Sequence, residues 1–290
     1  LFSCTLTATD VNFISIDKLT EPMRVKAKVR YKQKETDATI SPLPNGDVSV
    51  VFDEPQRAIA SGQAVVFYDG DIVVGGGTNS LQHTIRSMKM LEPYGVDAFL
   101  IVVPYYNKPT QEGQYQYFKA VAESTDKPIV LYNVPGRTGA NMTAETALRL
   151  AEIDNIVAIK EASGNREQIM QILKGAPEGF QVLSGNDDDT LWMMQNGGAG
   201  IISVASNVAP ALLAEFTDAI RDGQMDKAEE MNARLIPLFN NCFVESNPIP
   251  AKAALAAMGL IRNELRLPLV PSQQSTYDLM VETIKQIGLL

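Results

Sequence analysis

The chain has 290 residues, a formal net charge of −9 and an apolar fraction of 45%, values that fit one large globular domain or two smaller ones. It contains no apolar run long enough to cross a membrane, which takes about 18 residues or more. The negative charge argues against a chain that binds nucleic acid along its whole surface, although not against a local basic patch. The two cysteines, Cys4 and Cys242, form no CxxC pair, which excludes a disulfide scaffold and a cysteine-rich zinc site and suits a reducing cytosol.

A single histidine, His83, limits the chemistry further. Most histidine-based metal sites are removed, and a Ser-His-Asp triad would need His83 as its base. We therefore expect no metal, and we expect acid–base chemistry to use lysine, tyrosine, aspartate or glutamate. The first residues lack the basic and apolar regions of a signal peptide, so a cytoplasmic protein is expected.

Residues 1–77 have the pattern of a small antiparallel β-barrel. Residues 24–32 alternate strictly between basic and apolar or aromatic side chains, as a half-buried strand does. Asn45-Gly46 is a hairpin turn signal just before the strand-like residues 47–52, and prolines mark the neighbouring loops.

A second hairpin signal, Asp69-Gly70, lies between the strand-like residues 63–68 and 71–74. Residues 72–74 could instead supply an extra strand to the sheet that follows. The three glycines at 75–77 lack the Gly-Lys-Ser/Thr ending of a phosphate-binding loop and predict a turn or a strand end.

The alternation places five cations on one face of a single strand: Arg24, Lys26, Lys28, Arg30 and Lys32. One interpretation is a solvated edge strand whose charges deter aggregation. The other is a contact to a nucleic-acid backbone, because several cations at a repeat spacing match successive phosphates. The residues alone leave both interpretations open.

From about residue 78, apolar strand-like runs alternate with amphipathic helical segments, which is typical of repeated βα units on a parallel sheet. The strand-like runs are 98–103, 128–132, 156–160, 180–183 and 201–204. The helical segments are 113–124, 143–151 and 166–174, followed by 210–222, 225–243, 250–258 and 275–287. We predict an incomplete TIM-type (β/α)8 barrel at 78–204, because a closed barrel needs eight strands, and a C-terminal helical region at 205–290.

In such barrels the reactive side chains lie at the C-terminal ends of the strands. Lys160 follows four apolar residues there, and a buried amine has a lowered pKa and attacks ketones. The alternative is a lysine that reaches the surface or pairs with an acid. Tyr105, Tyr106, Tyr132 and Arg137 occupy other strand ends. Each tyrosine alone fits packing, but together these residues provide a nucleophile, proton shuttles and a carboxylate anchor.

Several motifs are similar to those of the dihydrodipicolinate synthase (4-hydroxy-tetrahydrodipicolinate synthase) family, and the resemblance covers about 78–290. They are Tyr-Tyr-Asn-Lys-Pro at 105–109, the Pro-Gly-Arg-Thr-Gly run within 131–139, Lys-Glu-Ala-Ser-Gly within 159–165, and residues 183–187 and 245–250. The resemblance implies a cytoplasmic, homotetrameric lyase of lysine and diaminopimelate biosynthesis. This enzyme would condense pyruvate with aspartate 4-semialdehyde without a cofactor.

The resemblance also implies a role for each site residue. Lys160 would form a covalent imine with pyruvate, Tyr132 would shuttle protons, and Tyr106 would extend the relay from a neighbouring subunit. Arg137 would hold the semialdehyde carboxylate, and the backbone of Gly185 and Ile202 would line the pyruvate pocket. Asn79 and Tyr105 fall where the family binds inhibitory lysine, and His83 stands where lysine-sensitive members often have an acid.

Residues 1–77 instead resemble the C-terminal barrel of the tRNA-specific 2-thiouridylase family, a barrel that helps hold tRNA. The resemblance is carried by residues 27–31, 51–58, 62–70 and 74–77. The first two βα units of the synthase family, with their Gly-Thr-Thr-Gly-Glu-Ser run and its relay threonine, do not occur in this sequence. The chain therefore has the form of a chimera. The two resemblances together leave three predictions open: a synthase with impaired activity, a tRNA-binding module or an inactive fusion.

Overall fold

The computed structural model describes residues 2–8, 19–28, 36–57, 66–68 and 73–290. The strands in these ranges are β1 (Phe2–Ala8), β2 (Met23–Lys28), β3 (Thr36–Pro42), β4 (Val48–Arg57), β5 (Val66–Tyr68), β6 (Val73–Gly75), β7 (Ala98–Val102), β8 (Ile129–Asn133), β9 (Ile156–Glu161), β10 (Gln181–Ser184) and β11 (Gly200–Ile201). The helices are α1 (Leu81–Leu91), α2 (Gln111–Ala122), α3 (Pro135–Thr138), α4 (Ala144–Ala151), α5 (Arg166–Gly175), α6 (Thr190–Gln195), α7 (Pro210–Arg221), α8 (Met225–Asn241), α9 (Ile249–Ala257) and α10 (Gln274–Gln286).

The N-terminal strands form a five-stranded sheet in the order β1-β4-β3-β2-β5, and each neighbouring pair is antiparallel. The predicted alternation in β2 is confirmed, because Val25 and Ala27 are buried whereas Arg24 and Lys26 are exposed. The turn at Gly46 joins β3 to β4, as its glycine predicts, with a φ of 90°. Buried apolar residues from β1 to β4 give this sheet a core of its own.

The predicted hairpin around Asp69-Gly70 is wrong. β5 pairs with β2 in the antiparallel sheet, whereas β6 pairs in parallel with β7. Residues 73–75 therefore supply the sixth strand of the parallel sheet, the alternative that the sequence left open. A turn signal reports only local backbone preference, while pairing depends on distant residues. Asp69 and Gly70 themselves lie outside the described residues.

Six strands form the parallel sheet, in the order β6-β7-β8-β9-β10-β11, and helices follow the strands along the chain. This confirms the predicted incomplete TIM-type barrel and its C-terminal helices. Two helix starts show why the local sequence works: the side chains of Thr110 and Asn165 cap α2 and α5 by accepting hydrogen bonds from the backbone N–H groups of Gly113 and Gln168. α1, α3 and α6 lie outside the predicted helices.

The chain divides into two compact units. The first contains residues 1–131, 137–140 and 152–157, and the second contains residues 132–136, 141–151 and 158–290. A core of buried residues from α7, α8, α9 and α10 holds the helical part of the second unit together. The predicted domain boundaries at residues 77 and 204 stay a prediction. No helix in the described part of the chain has the length and hydropathy needed to span a membrane.

Candidate active site

Lys160 lies near the C-terminal end of β9, and its surroundings decide between the two interpretations of this residue. Only 8% of Lys160 is exposed, so the side chain does not reach the surface. Its Nζ lies 4.3 Å from the centroid of the Tyr132 ring on β8, a distance at which a cation is attracted to the ring face. The structure thus brings together the predicted nucleophile and the predicted proton shuttle.

Gly185 follows β10 and passes close to the same lysine. A Cβ atom at this position would lie 3.1 Å from Cε of Lys160 and 2.6 Å from Cβ of Ala162. Only glycine therefore allows the backbone to approach Lys160 so closely. The N–H of Ile202, just after β11, donates to the carbonyl of Ser184 at 2.9 Å. Gly185 and Ile202 thus follow neighbouring strand ends, as a pocket lined by their backbone requires.

Asp187 is a buried carboxylate in this unit, to which the sequence assigned no role. It accepts hydrogen bonds from the Ser203 hydroxyl and from the N–H groups of Val204 and Ala205, both at 3.1 Å. Burial raises the pKa of this carboxyl, whereas those hydrogen bonds and the positive charge of Lys160 act in the opposite direction. Its position just after a strand end was the signal available in the sequence.

Glu161, the neighbour of Lys160, is a second buried carboxylate. Its Oε2 accepts a hydrogen bond from Nδ2 of Asn133 at 3.0 Å, and its Oε1 accepts one from the N–H of Ser163 at 2.6 Å. Burial raises the pKa of Glu161, and the hydrogen bonds counteract it. The acid–amide pair is invisible in the sequence because 28 positions separate its members.

Tyr106 and Arg137 belong to the first compact unit. Tyr106 is 87% exposed, has a φ of 71° and donates its N–H to the carbonyl of Thr138 at 3.2 Å. A left-handed conformation is uncommon for a bulky residue and costs about 1–3 kcal/mol, so the loop presents this ring at a cost. Arg137 is also exposed, within α3. The roles predicted for both residues stay predictions.

The predicted lysine-effector residues, Asn79 and Tyr105, are connected through Asn107. The side-chain amide of Asn107 donates to the carbonyl of Asn79 at 3.1 Å, and its N–H donates to the carbonyl of Tyr105 at 2.8 Å. His83 is exposed on α1. The structure therefore groups the two residues, and the effector site remains a prediction.

The five cations predicted on one face of the N-terminal strand, Arg24, Lys26, Lys28, Arg30 and Lys32, are partly paired with acids where the structure describes them. Arg24 makes a bidentate pair with Asp53, with N–O distances of 2.8 and 2.6 Å, and Lys26 lies opposite Asp37 in the strand register. Arg30 and Lys32 lie outside the described residues, as does the side chain of Lys28. The predicted tRNA contact stays a prediction.

Metal binding finds no basis in the described ranges, where no group of three or more histidine, cysteine, aspartate or glutamate side chains is arranged to hold an ion. What the described site offers is instead a buried amine, a phenol above it and a close backbone turn. This set suits covalent chemistry on a small carbonyl compound.

Comparison with known families assigns both parts of the chain. The sequence profile of the Dihydrodipicolinate synthetase family matches residues 45–287, and that of the Aminomethyltransferase beta-barrel domain matches residues 3–78. The first match confirms the synthase resemblance. The second supports a chain whose two parts have different origins.

Individual relatives agree with the first match. The 4-hydroxy-tetrahydrodipicolinate synthase of Thermotoga neapolitana is 44% identical over 276 residues, which cover 92% of this chain and 94% of that protein. The crystal structure of dihydrodipicolinate synthase from Thermotoga maritima superposes with a TM-score of 0.74 at 49% identity, covering 76% of each chain. The chloride-inhibited enzyme from Acinetobacter baumannii, solved in complex with pyruvate, gives a TM-score of 0.74 at 41% identity and covers 76% of each chain.

Proposed function

Because this chain belongs to the dihydrodipicolinate synthetase family, we propose that it is a cytoplasmic lyase of lysine and diaminopimelate biosynthesis. It condenses pyruvate with aspartate 4-semialdehyde to give 4-hydroxy-tetrahydrodipicolinate. The observation that carries the proposal is the buried Lys160, whose Nζ lies 4.3 Å from the centroid of the Tyr132 ring, beside the close backbone turn at Gly185.

The reaction begins with covalent catalysis. The neutral amine of Lys160 attacks the ketone carbon of pyruvate, a C–N bond forms, and water leaves to give a protonated imine. The imine accepts the electron pair that remains when a proton leaves the pyruvate methyl group, so an enamine results. Tyr132 moves protons in both steps, a role that its ring beside the amine supports.

The second half of the reaction joins the two substrates. The enamine carbon attacks the aldehyde carbon of the semialdehyde, and Arg137 holds the carboxylate of that substrate through a bidentate pair. The substrate amine then adds to the imine carbon and displaces the amine of Lys160, which closes the ring and frees the enzyme. The protonated imine on Lys160 is itself the electron sink, and no electrons pass to an outside acceptor, so the chemistry needs no cofactor.

Assembly and regulation follow from the exposed residues of the first unit. Tyr106, with its left-handed backbone and exposed ring, fits a residue donated to the site of another subunit, which requires a homo-oligomer, a tetramer by resemblance. Asn79 and Tyr105 would form the lysine-effector site. Without the acid common in lysine-sensitive members, His83 is expected to leave feedback inhibition weak.

A second candidate function is supported by the family match at residues 3–78, which favours tRNA contact by the N-terminal sheet. The bidentate Arg24–Asp53 pair weighs against it, because a cation already paired with a carboxylate gains less from a phosphate. We therefore place the synthase function first.

Trapping of the imine tests the proposal. The intact chain is incubated with pyruvate and borohydride, and peptides are mapped by mass spectrometry. We expect the reduced adduct on Lys160, its loss in Lys160→Ala, and its retention in Lys174→Ala, which removes an exposed lysine from α5. An adduct elsewhere, or none in the wild type, would refute the assignment.

A coupled assay with aspartate semialdehyde then separates imine formation from turnover. The relay threonine of the family is not in this sequence, and proton shuttles contribute roughly 10²- to 10⁴-fold to rate. We therefore expect a trapped Lys160 adduct together with slow condensation. Condensation at a rate typical of enzymes, about 1–10³ s⁻¹, would show that the relay is complete without that threonine.

A further inference from the structure

Four polar side chains form a closed ring of hydrogen bonds next to the catalytic pair. Asn133 Nδ2 donates to Glu161 Oε2 at 3.0 Å and to Asn141 Oδ1 at 2.9 Å. Asn141 Nδ2 donates to Gln168 Oε1 at 2.8 Å, and Gln168 Nε2 donates to Glu161 Oε2 at 3.3 Å. The ring connects β8, β9, α5 and the segment before α4, and all but Asn141 among its members are buried.

Glu161 is the one charged member of the ring. Its hydrogen-bond partners fix which atom of each amide donates and which accepts. Glu161 accepts hydrogen bonds from the N–H groups of Asn133, Gln168 and Ser163, and these partners suit a carboxylate. The Asn133 amide cannot turn over, because its Oδ1 accepts the N–H of Met142 at 2.9 Å. An amide in place of the carboxylate would therefore set one N–H group against another, which leaves buried donors unsatisfied.

The ring also lies directly behind the reacting residues. Glu161 follows Lys160 on β9, and Asn133 follows Tyr132 on β8. Successive side chains of a strand point to opposite faces, so Lys160 and Tyr132 meet on one face while Glu161 and Asn133 meet on the other. The Glu161–Asn133 hydrogen bond thus fixes the relative position of the two strand ends that carry the amine and the phenol.

We propose that Glu161, through its hydrogen bond to Asn133 within this ring, is the positioning residue that holds the Lys160 amine against Tyr132 for imine formation. The inference rests on the proposed function, because it concerns the same lysine. A misplacement of about 1 Å in a reacting pair costs on the order of 10²-fold in rate. Loss of the pair is therefore expected to slow imine formation without removing any group that touches pyruvate.

The test is the rate at which borohydride traps the Lys160 imine, normalised to folded protein. Glu161→Gln keeps the shape of the side chain and puts an amide against the Asn133 amide. We expect its maximal trapping rate to fall roughly 10- to 100-fold, with less change in the pyruvate concentration that gives half the maximal rate. Glu167→Gln makes the same exchange at an exposed residue of α5, six positions along the chain, and should keep the wild-type rate.

A rescue variant separates positioning from simple destabilisation. In N133D/E161Q the carboxylate and the amide change places, and the amides of Asn141 and Gln168 can turn over so that the ring closes in the opposite direction. The N–H groups of Met142 and Ser163 keep their acceptors, and the 3.3 Å hydrogen bond from Asn133 Nδ2 to the carbonyl of Met142 is lost. We expect this variant to recover most of the wild-type trapping rate, and it carries the test alone if Glu161→Gln does not fold.

The outcomes distinguish this inference from the proposed function. A wild-type chain with no adduct on Lys160 would defeat the proposed function. A wild-type adduct with Glu161→Gln as fast as Glu167→Gln would overturn only the positioning role, as would a double variant that is slow or does not fold.

Discussion

Three buried charged residues lie at two neighbouring strand ends of the second unit, those of β9 and β10. Lys160, Glu161 and Asp187 are all buried, and isolated charges in such places are costly. Each carboxylate is surrounded by hydrogen-bond donors, and Lys160 has the face of Tyr132 beside it. The site therefore keeps charged groups available for chemistry at a cost in folding stability.

The cost of burying Asp187 predicts a pH dependence. Because burial raises the pKa of Asp187, the folded state binds its proton more tightly than the unfolded state does. This stabilising contribution is fully present below the unfolded pKa of about 3.9, and it is lost as the pH rises through the folded pKa. Asp187→Asn removes the titration, so the free energy of unfolding of the variant, relative to wild type, should rise from about pH 4 towards neutral.

Urea unfolding between about pH 4 and pH 7.5 measures this difference. Asp188→Asn, which removes an exposed carboxyl one residue away, is the matched control. A difference between Asp187→Asn and wild type that stays flat or falls with rising pH would contradict the interpretation.

The sequence indicates the candidate reacting residues but not the residues that surround them. Lys160, Tyr132 and Gly185 could be proposed because strand ends of βα units converge on one edge. The Asn133–Glu161 pair joins residues 28 positions apart, and Asn141 and Gln168 are 27 apart. No local pattern encodes such a ring, since it depends on how two strands and a helix approach one another.

At the scale of elements, the segment after β6 approaches the backbone of β7 closely at a single glycine, Gly77. A Cβ atom on Gly77 would lie 2.6 Å from the backbone nitrogen of Val102 and 3.2 Å from Cα of Ile101. These backbone atoms belong to a strand and cannot give way as a flexible side chain would. The position of Gly77 beside β7 therefore requires a residue without a side chain.

We expect Gly77→Ala to lower the free energy of unfolding by about 1–3 kcal/mol, the usual cost of overpacking. Gly75→Ala is the matched control two residues earlier, where a Cβ would meet no atom within 4 Å, and its effect should stay within about 0.5 kcal/mol. Thermal or urea unfolding of both variants measures the difference. Equal effects would show that the backbone of β6 adjusts freely.

Most elements were predictable because their signals are local. Periodicity placed α5, α7 and α10 within two residues of their observed ends. The partner of β6 was not predictable in this way, because a three-residue strand pairs with whichever edge the remaining chain presents. Which of the two sheets residues 73–75 join is thus decided by the whole fold and not by their own sequence.

At the scale of the molecule, the described chain has separate hydrophobic cores. Among the residues that the structure describes, nine buried residues form the core of the N-terminal sheet and nineteen form the core of the C-terminal helices. Since stability grows with the apolar area that is buried, the smaller core should be the less stable. If the predicted boundary at residue 77 holds, we expect the N-terminal sheet to unfold before the C-terminal helices.

The two cysteines test this boundary, because each reports on one core. Cys4 lies half-buried in β1, whereas Cys242 is fully buried after α8. Burial, with a contribution from the charge of Asp187, raises the pKa of the Cys242 thiol to about 12. Since the thiolate is the reactive species, Cys242 should resist a disulfide reagent near pH 8 until the helical core opens.

We expect Cys4 to react at a lower urea concentration than Cys242, with Cys4→Ser and Cys242→Ser assigning the two signals. Simultaneous reaction of both thiols would mean that the N-terminal sheet and the helices unfold as one cooperative structure.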